Sequence, residues 1–248
     1  MADLLLLAGA GFIAGAMNAA AGGGSFVSFP AMVFAGVPPV YANASSTVAL
    51  FPGAIASSWA YRKSLGGIGD VSLPMLMAIS MLGGLLGAAL LLATPSDAFS
   101  MLVPWLLLLA TLAFAFGRQA GLVLRRMFLI GRVTTLAAQF LLAIYGGYFG
   151  GAVGIMMMAV WGLLGIGDVK QVNPTKTVLV GAMNGMAVLY FIAARAVVWP
   201  QTLAMLFAAA IGGYVGAHVA MRLDARWLRA GVTTISAAVT LAFFLHAA

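Results

Sequence analysis

Lys176 is the one base that the hydropathy pattern places a turn inside an apolar segment. Asn173, Thr175 and Thr177 surround it, and the chain then stays mostly apolar to residue 194. An earlier stretch begins the same way, with Asn43, Ser45, Ser46 and Thr47, and Asn43 and Asn173 lie 130 residues apart. Amides, hydroxyls and one ammonium, with no carboxylate among them, form a donor set suited to an anion. A cation at membrane depth is expensive and is a functional candidate by default. The competing reading is a long side chain that snorkels to the surface. The amides and hydroxyls would also suit helix capping, with Asn173 as N-cap and Pro174 at the first helical position.

Two glycine clusters carry the second signal. Gly22-Gly23-Gly24-Ser25 and Gly150-Gly151-Ala152-Val153-Gly154 each precede a short apolar stretch. A helix that starts inside the membrane presents unsatisfied N–H groups and the positive end of its dipole, and both favour an anion. Ser25 is read as an N-cap or a ligand hydroxyl. Alternatively, the glycines only let helices cross closely. The candidate ligand set is therefore Gly23, Gly24, Ser25, Asn43, Ser45, Ser46, Thr47, Gly151, Gly154, Asn173, Thr175, Lys176 and Thr177, converging near the bilayer midplane.

The acids argue by their positions. The chain has no glutamate, and its five acids are Asp3, Asp70, Asp97, Asp168 and Asp224, all at termini or in loops. A cation pathway would place carboxylates within the membrane. An intramembrane hydrolase would need an Asp pair, an HExxH motif or a cysteine, and none is present. An enzyme is thus the least expected class, and neither a metal nor a cofactor is expected.

The elements that must hold these residues follow from composition. At 64% hydrophobic and 7% charged, the chain cannot cover a soluble surface. It reads as an all-α polytopic membrane protein, since helices satisfy their own backbone in lipid. Ten apolar segments are expected, near 3–20, 25–36, 40–60, 71–93 and 98–117, then 132–149, 154–165, 174–194, 200–221 and 227–246. Two related halves follow, residues 1–117 and 132–248, joined by a linker at 118–131. Gly83-Gly84 with Gly87 matches Gly212-Gly213 with Gly216 at an offset of 129, with GxxxG spacing in both. The second segment of each half spans roughly 18 Å, short of the roughly 30 Å hydrocarbon core. Each is expected to form a broken or re-entrant hairpin with the segment before it, or else a tilted full crossing.

Charge then sets orientation. If each pair of opening segments returns the chain to its starting side, a cytoplasmic linker leaves only Arg195 outside. If each pair crosses once, Lys170, Lys176, Arg222, Arg226 and Arg229 fall outside as well. The positive-inside rule favours the first arrangement. It implies an inverted-topology repeat with both termini outside, and broken segments at matching places in two halves point to a transporter's binding site. The expected partners are a small anion and the lipid bilayer, not nucleic acid; a homo-oligomer stays open.

Taken together, these motifs resemble the sulfite exporter TauE/SafE family of bacterial membrane permeases. The residues that carry the resemblance are Asn18 through Pro30, Gly36 through Leu50, Gly146 through Gly154, and Asn173 through Leu179. It covers nearly the whole chain apart from the linker. The resemblance implies a location in the bacterial cytoplasmic membrane and export of sulfur-containing anions such as sulfite, thiosulfate or organosulfonates. An anion channel and a non-transporting membrane subunit are the alternatives.

Overall fold

A computed structural model describes residues 2–21, 23–63, 65–124, 131–163, 169–220 and 225–247. These residues form ten helices and no strand: α1 (Ala2–Ala21), α2 (Ser25–Phe34), α3 (Pro39–Tyr61), α4 (Leu73–Ala93), α5 (Ser96–Leu124), α6 (Arg132–Tyr148), α7 (Val153–Leu163), α8 (Val169–Ala193), α9 (Trp199–Ala220) and α10 (Ala225–Ala247).

Backbone chemistry sets several of the boundaries. Gly36 stands at φ +80°, and the amides of Gly36 and Val37 donate back to Val33 and Met32 at 3.0 and 3.1 Å. That closure ends α2, because only glycine adopts the left-handed conformation without strain. Pro39 then opens α3 at a position where its missing N–H costs nothing. Between α6 and α7 the chain reverses through Gly150 at φ +77° and Ala152 at φ +54°.

Three boundaries differ from the sequence expectation. Helix α5 runs seven residues past 117, through Arg118–Leu124, where Gly121 is the only weak helix former. Helix α8 begins at Val169, so Asn173 lies inside it and is not its N-cap. Lys170 and Gln171 are good helix formers, and they let the helix start a turn earlier than Pro174. Ser25 is the first residue of α2 rather than its N-cap; Gly24 takes that place, without a side-chain cap. Residues 125–130 of the expected linker and 164–165 of the seventh segment lie outside the described residues.

The GxxxG faces make the closest crossings. A methyl group at Gly83 would stand 2.6 Å from Ala143 Cβ, and Gly84 meets Gly147. Gly11 and Gly15 of α1 face Met205 and Ala209 of α9, while Gly212 and Gly216 face Phe12 and Ala16. The numbers rise together in each pair, so α4 runs parallel to α6 and α1 parallel to α9. Helix α3 runs antiparallel to α8. Gly185 packs on Phe51, Gly181 packs on Ser58, and Ser58 Oγ donates to the Thr177 carbonyl at 3.4 Å. Helices α5 and α10 are antiparallel too, with Thr111 and Thr240 hydroxyls 3.0 Å apart and Trp105 edge-on to Phe244.

Polarity is distributed inside out. Ser28, Asn43, Ser45, Ser46, Ser80, Gln139 and Thr175 are buried, whereas Leu5, Leu82, Met101, Leu141 and Phe207 are exposed. Such a surface suits lipid, and the buried polar groups bond across helices, as Gln139 does to Ser80 at 2.8 Å. Leu73–Ala93 and Asn173–Ala193 are each long and apolar enough to cross a membrane.

Two outcomes test this packing. Gly87→Leu drives its side chain into the Ile144 and Tyr148 backbone, with Tyr148 N only 2.7 Å from the new Cβ. It should lower stability by about 1–3 kcal/mol, read as a fall in Tm in detergent. Gly9→Leu, with open space around it, should not. Leu86 is 42% exposed on α4. Leu86→Lys should reduce the membrane-inserted fraction in a protease-protection assay, by roughly 2.5–3.5 kcal/mol of insertion free energy.

Candidate functional site

The reversal between α6 and α7 is held from both sides. Tyr145 OH donates to the Gly151 carbonyl at 2.9 Å, and the Gly150 amide donates to the Tyr145 carbonyl at 3.3 Å. Helix α7 therefore starts at a fixed place against α8. Gly154, its second residue, leaves room for the Lys176 side chain. A methyl group there would sit 3.5 Å from Lys176 Cδ and 3.6 Å from Cε. The Lys176 stem thus lies across the start of α7. The half-buried ammonium makes no hydrogen bond or ion pair with any described residue. First-turn amides of a helix have no intrahelical acceptor. An ammonium and a helix start together favour negative charge.

The first half repeats this arrangement without the charge. Gly24 is 130 residues before Gly154, and Leu50 is 130 before Val180. Gly24 packs on Leu50, Asn18 and the Ala14 carbonyl, while Gly154 packs on Val180 beside Lys176. Gly24 is therefore a close-packing residue, and a methyl there would stand 2.5 Å from the Ala14 oxygen. Ser46 takes the place of Lys176. Its hydroxyl lies 2.6 Å from that of Ser28 in α2, and Ser28 also donates to the Gly24 carbonyl at 3.2 Å. Gly23 accepts the Phe26 amide at 3.2 Å, and Ser25 is half-buried.

The polar runs of α3 and α8 occupy the same place in each helix, with Asn43 and Asn173 both fifth from the start. Thr47 and Thr177 each donate to the carbonyl four residues back, Asn43 and Asn173, at 2.9 Å. Asn43 Nδ2 donates to the Tyr148 carbonyl at 2.9 Å. Ser45 Oγ accepts the Val198 amide at 3.0 Å. Thr175 Oγ1 accepts the Gly66 amide at 3.2 Å and donates to the Gly66 carbonyl at 3.0 Å. These groups bind the protein's own backbone across elements, which is not a capping role.

The thirteen candidates do not gather at one point. Because α3 and α8 are antiparallel, Ser46 and Lys176 lie toward opposite ends of the pair, on the order of 20 Å apart along it at 1.5 Å per residue. The starts of α2 and α7 come closer in level, since Leu50 and Val180 flank the crossing at Phe51 and Gly185. Gly151, Gly154 and Lys176 thus form one group, and Gly23, Gly24, Ser25 and Ser46 the other. A cavity of about 370 Å³ lies elsewhere, between Tyr41, Thr94, Ser96 and Ala194 at the end of the bundle away from Lys176. Among the described residues no cluster of three metal-ligating side chains occurs.

Sequence reading missed Ser28, Ser58, Gly66, Tyr148 and Val198 as partners. The signal for Ser28 was a second hydroxyl one turn into a short apolar helix. The signal for the loops was their matching place, since Gly66 and Val198 both follow a long helix that begins with a polar run.

Comparison with known proteins agrees along the whole chain. The family model described as Sulfite exporter TauE/SafE matches residues 7–243. A probable membrane transporter protein, ORF9, of Sinorhizobium sp is 30% identical over 237 residues, covering 94% of this chain and 88% of that one. A probable membrane transporter protein of Haemophilus influenzae is 28% identical over 241 residues, covering 96% and 93%. The probable membrane transporter protein YfcA of Escherichia coli strain K12 is 26% identical over 230 residues, covering 92% and 84%. No solved structure matches significantly. With an all-helical, inside-out bundle and a family match over nearly its full length, the chain belongs to the sulfite exporter TauE/SafE family of membrane transporters.

Proposed function

We propose that the chain is a secondary transporter that exports a small sulfur-containing oxyanion, of the sulfite, thiosulfate or organosulfonate class, by alternating access. The observation that carries this reading is the unpartnered Lys176 ammonium across the start of α7. The anion would sit against Lys176 and the backbone at Gly151 and Gly154, with Asn173 and Thr177 flanking. Gly23, Gly24 and Ser25, at the start of α2, would face it from the other half. The family name supplies the substrate class; the chemistry of the site requires only that the substrate be an anion.

Helix directions support an inverted repeat. Helix α9 starts at the end of the bundle where α8 finishes, and α3 starts there too, being antiparallel to α8. Helix α1, parallel to α9, also starts there. The chain from α1 through α2 therefore leaves that end and returns to it, and α6 with α7 does the same at the other end. The halves then lie in opposite orientations, as residues 1–117 and 132–248 on either side of a cytoplasmic linker. Arg62, Lys63 and Arg132 share the linker's end, which the positive-inside rule places in the cytoplasm. Both termini then lie outside a bacterial cytoplasmic membrane.

Energy sets the direction. A potential of 100 mV, negative inside, favours moving one negative charge outward by roughly 2.3 kcal/mol, about fifty-fold. Export needs no coupling ion, and the chain offers no intramembrane carboxylate to bind one.

Radiolabelled sulfite and thiosulfate flux in proteoliposomes tests this. The expected result is saturable flux that rises with an imposed potential and falls at least tenfold in Lys176→Ala. Flux that Lys176→Ala leaves unchanged would remove Lys176 from the site. Well-folded protein without flux of either anion would refute this substrate assignment.

A further inference from the structure

Two buried hydroxyls, Ser45 and Thr175, stand at matching places 130 residues apart, and each is held by the other half of the chain. Ser45, in α3, bonds the Val198 amide in the connection between α8 and α9. Thr175, in α8, bonds both backbone groups of Gly66 in the connection between α3 and α4. Since α3 and α8 are antiparallel, the two contacts lie at opposite ends of the bundle.

Each connection also plugs its end. Ile68 and Val71 pair their backbones at 2.9 and 3.0 Å around Gly69 and bury their side chains with Trp161, Leu76 and Leu179. That closed turn can move as a unit. At the other end, Ala196 and Val197 are buried with Val40 and Ala44. Both plugs are seated, so the molecule is shut at both ends.

We propose that Ser45 and Thr175 are paired latches, one per end, whose separate release opens the central site to one side of the membrane at a time. The proposal rests on the transporter reading and adds the moving parts. Three features fit a contact made to be broken. Neutral hydroxyl–backbone bonds are modest in net strength and easily exchanged for water. Each plug covers a buried polar atom without a partner, the Trp161 indole N–H beneath the Ile68 turn and Gln201 Oε1 one turn beyond Val198. An unmade buried bond weighs against the closed arrangement and is relieved by wetting. The latches are also unequal. Thr175 grips Gly66 at two points and Ser45 grips Val198 at one, so the end near Lys176 is the more firmly shut.

The chain has no cysteine, which makes a single reporter clean. Gly154→Cys places a thiol beside Lys176, where a Cβ meets only ordinary contacts. Its rate of labelling by a membrane-impermeant thiol reagent is measured from each side of oriented proteoliposomes. Thr175→Val in this background should raise labelling at least tenfold from the side where α4 begins, and leave the other side unchanged. Ser45→Ala should do the reverse, and Thr175→Ser should restore the parent rate. Unchanged labelling in both variants, or an equal rise from both sides, would overturn the proposal. Hydrogen exchange on the unmodified protein gives a reading independent of any variant. The Gly66 and Val198 amides should exchange faster than helical amides near Phe51 and Gly185, and protection equal to that core would overturn the latches. Labelling requires no flux. One-sided changes without sulfite or thiosulfate transport would uphold the latches and count against the substrate assignment alone.

Discussion

The antiparallel crossing of α3 on α8 is the contact on which the rest of the molecule depends. Gly181 and Gly185 remove side chains on one helix so that Ser58 and Phe51 of the other can sit against its backbone. In lipid there is no hydrophobic drive between helices, so close packing of this kind and bonds such as Ser58 to Thr177 carry the association. Once that crossing is set, the polar starts of α3 and α8 must point to opposite ends. The turns before α2 and α7 fall near its middle.

Much of this was legible in the sequence. The ten segments, the short second member of each half and the glycine faces all follow from hydropathy and spacing. Local signals also gave the reversal at Gly150 and the break at Gly36, because left-handed backbone selects glycine. Helix α8 was harder to bound. Asn173-Pro174 is a strong start signal locally, but residues 169–172 continue the helix ahead of it, and tertiary context overrides propensity. The convergence of all thirteen polar candidates was the larger misreading. Distance from a helix start says how deep a residue lies, but not on which side of the centre. Only the Gly185 and Gly181 contacts settle that for Ser46 and Lys176.

The two copies of the unit have diverged where chemistry is concerned and stayed alike where packing is concerned. Gly24 with Leu50 and Gly154 with Val180 are the same contact made twice. Above that shared backbone, Ser46 closes on Ser28 in one copy, and Lys176 stands without a partner in the other. A hydroxyl pair satisfies itself and leaves nothing for a ligand, whereas a lone ammonium at a helix start leaves a strong field to be neutralised. Any substrate that answers to charge is therefore drawn off the centre, toward the second half.

Helix α1 finds its closest partner in α9, and α6 finds its own in α4. Each half lends its first helix to the other, in the reciprocal manner of an isologous dimer whose subunits exchange identical surfaces. Severing the chain at its middle would strand the Gly11 and Gly15 face on one fragment and the Gly83 and Gly87 face on the other, each without its mate. The protein is in that sense a dimer that has become covalent. Its two halves mature as one body, and whatever moves during a cycle must move inside that body rather than about the joint between them.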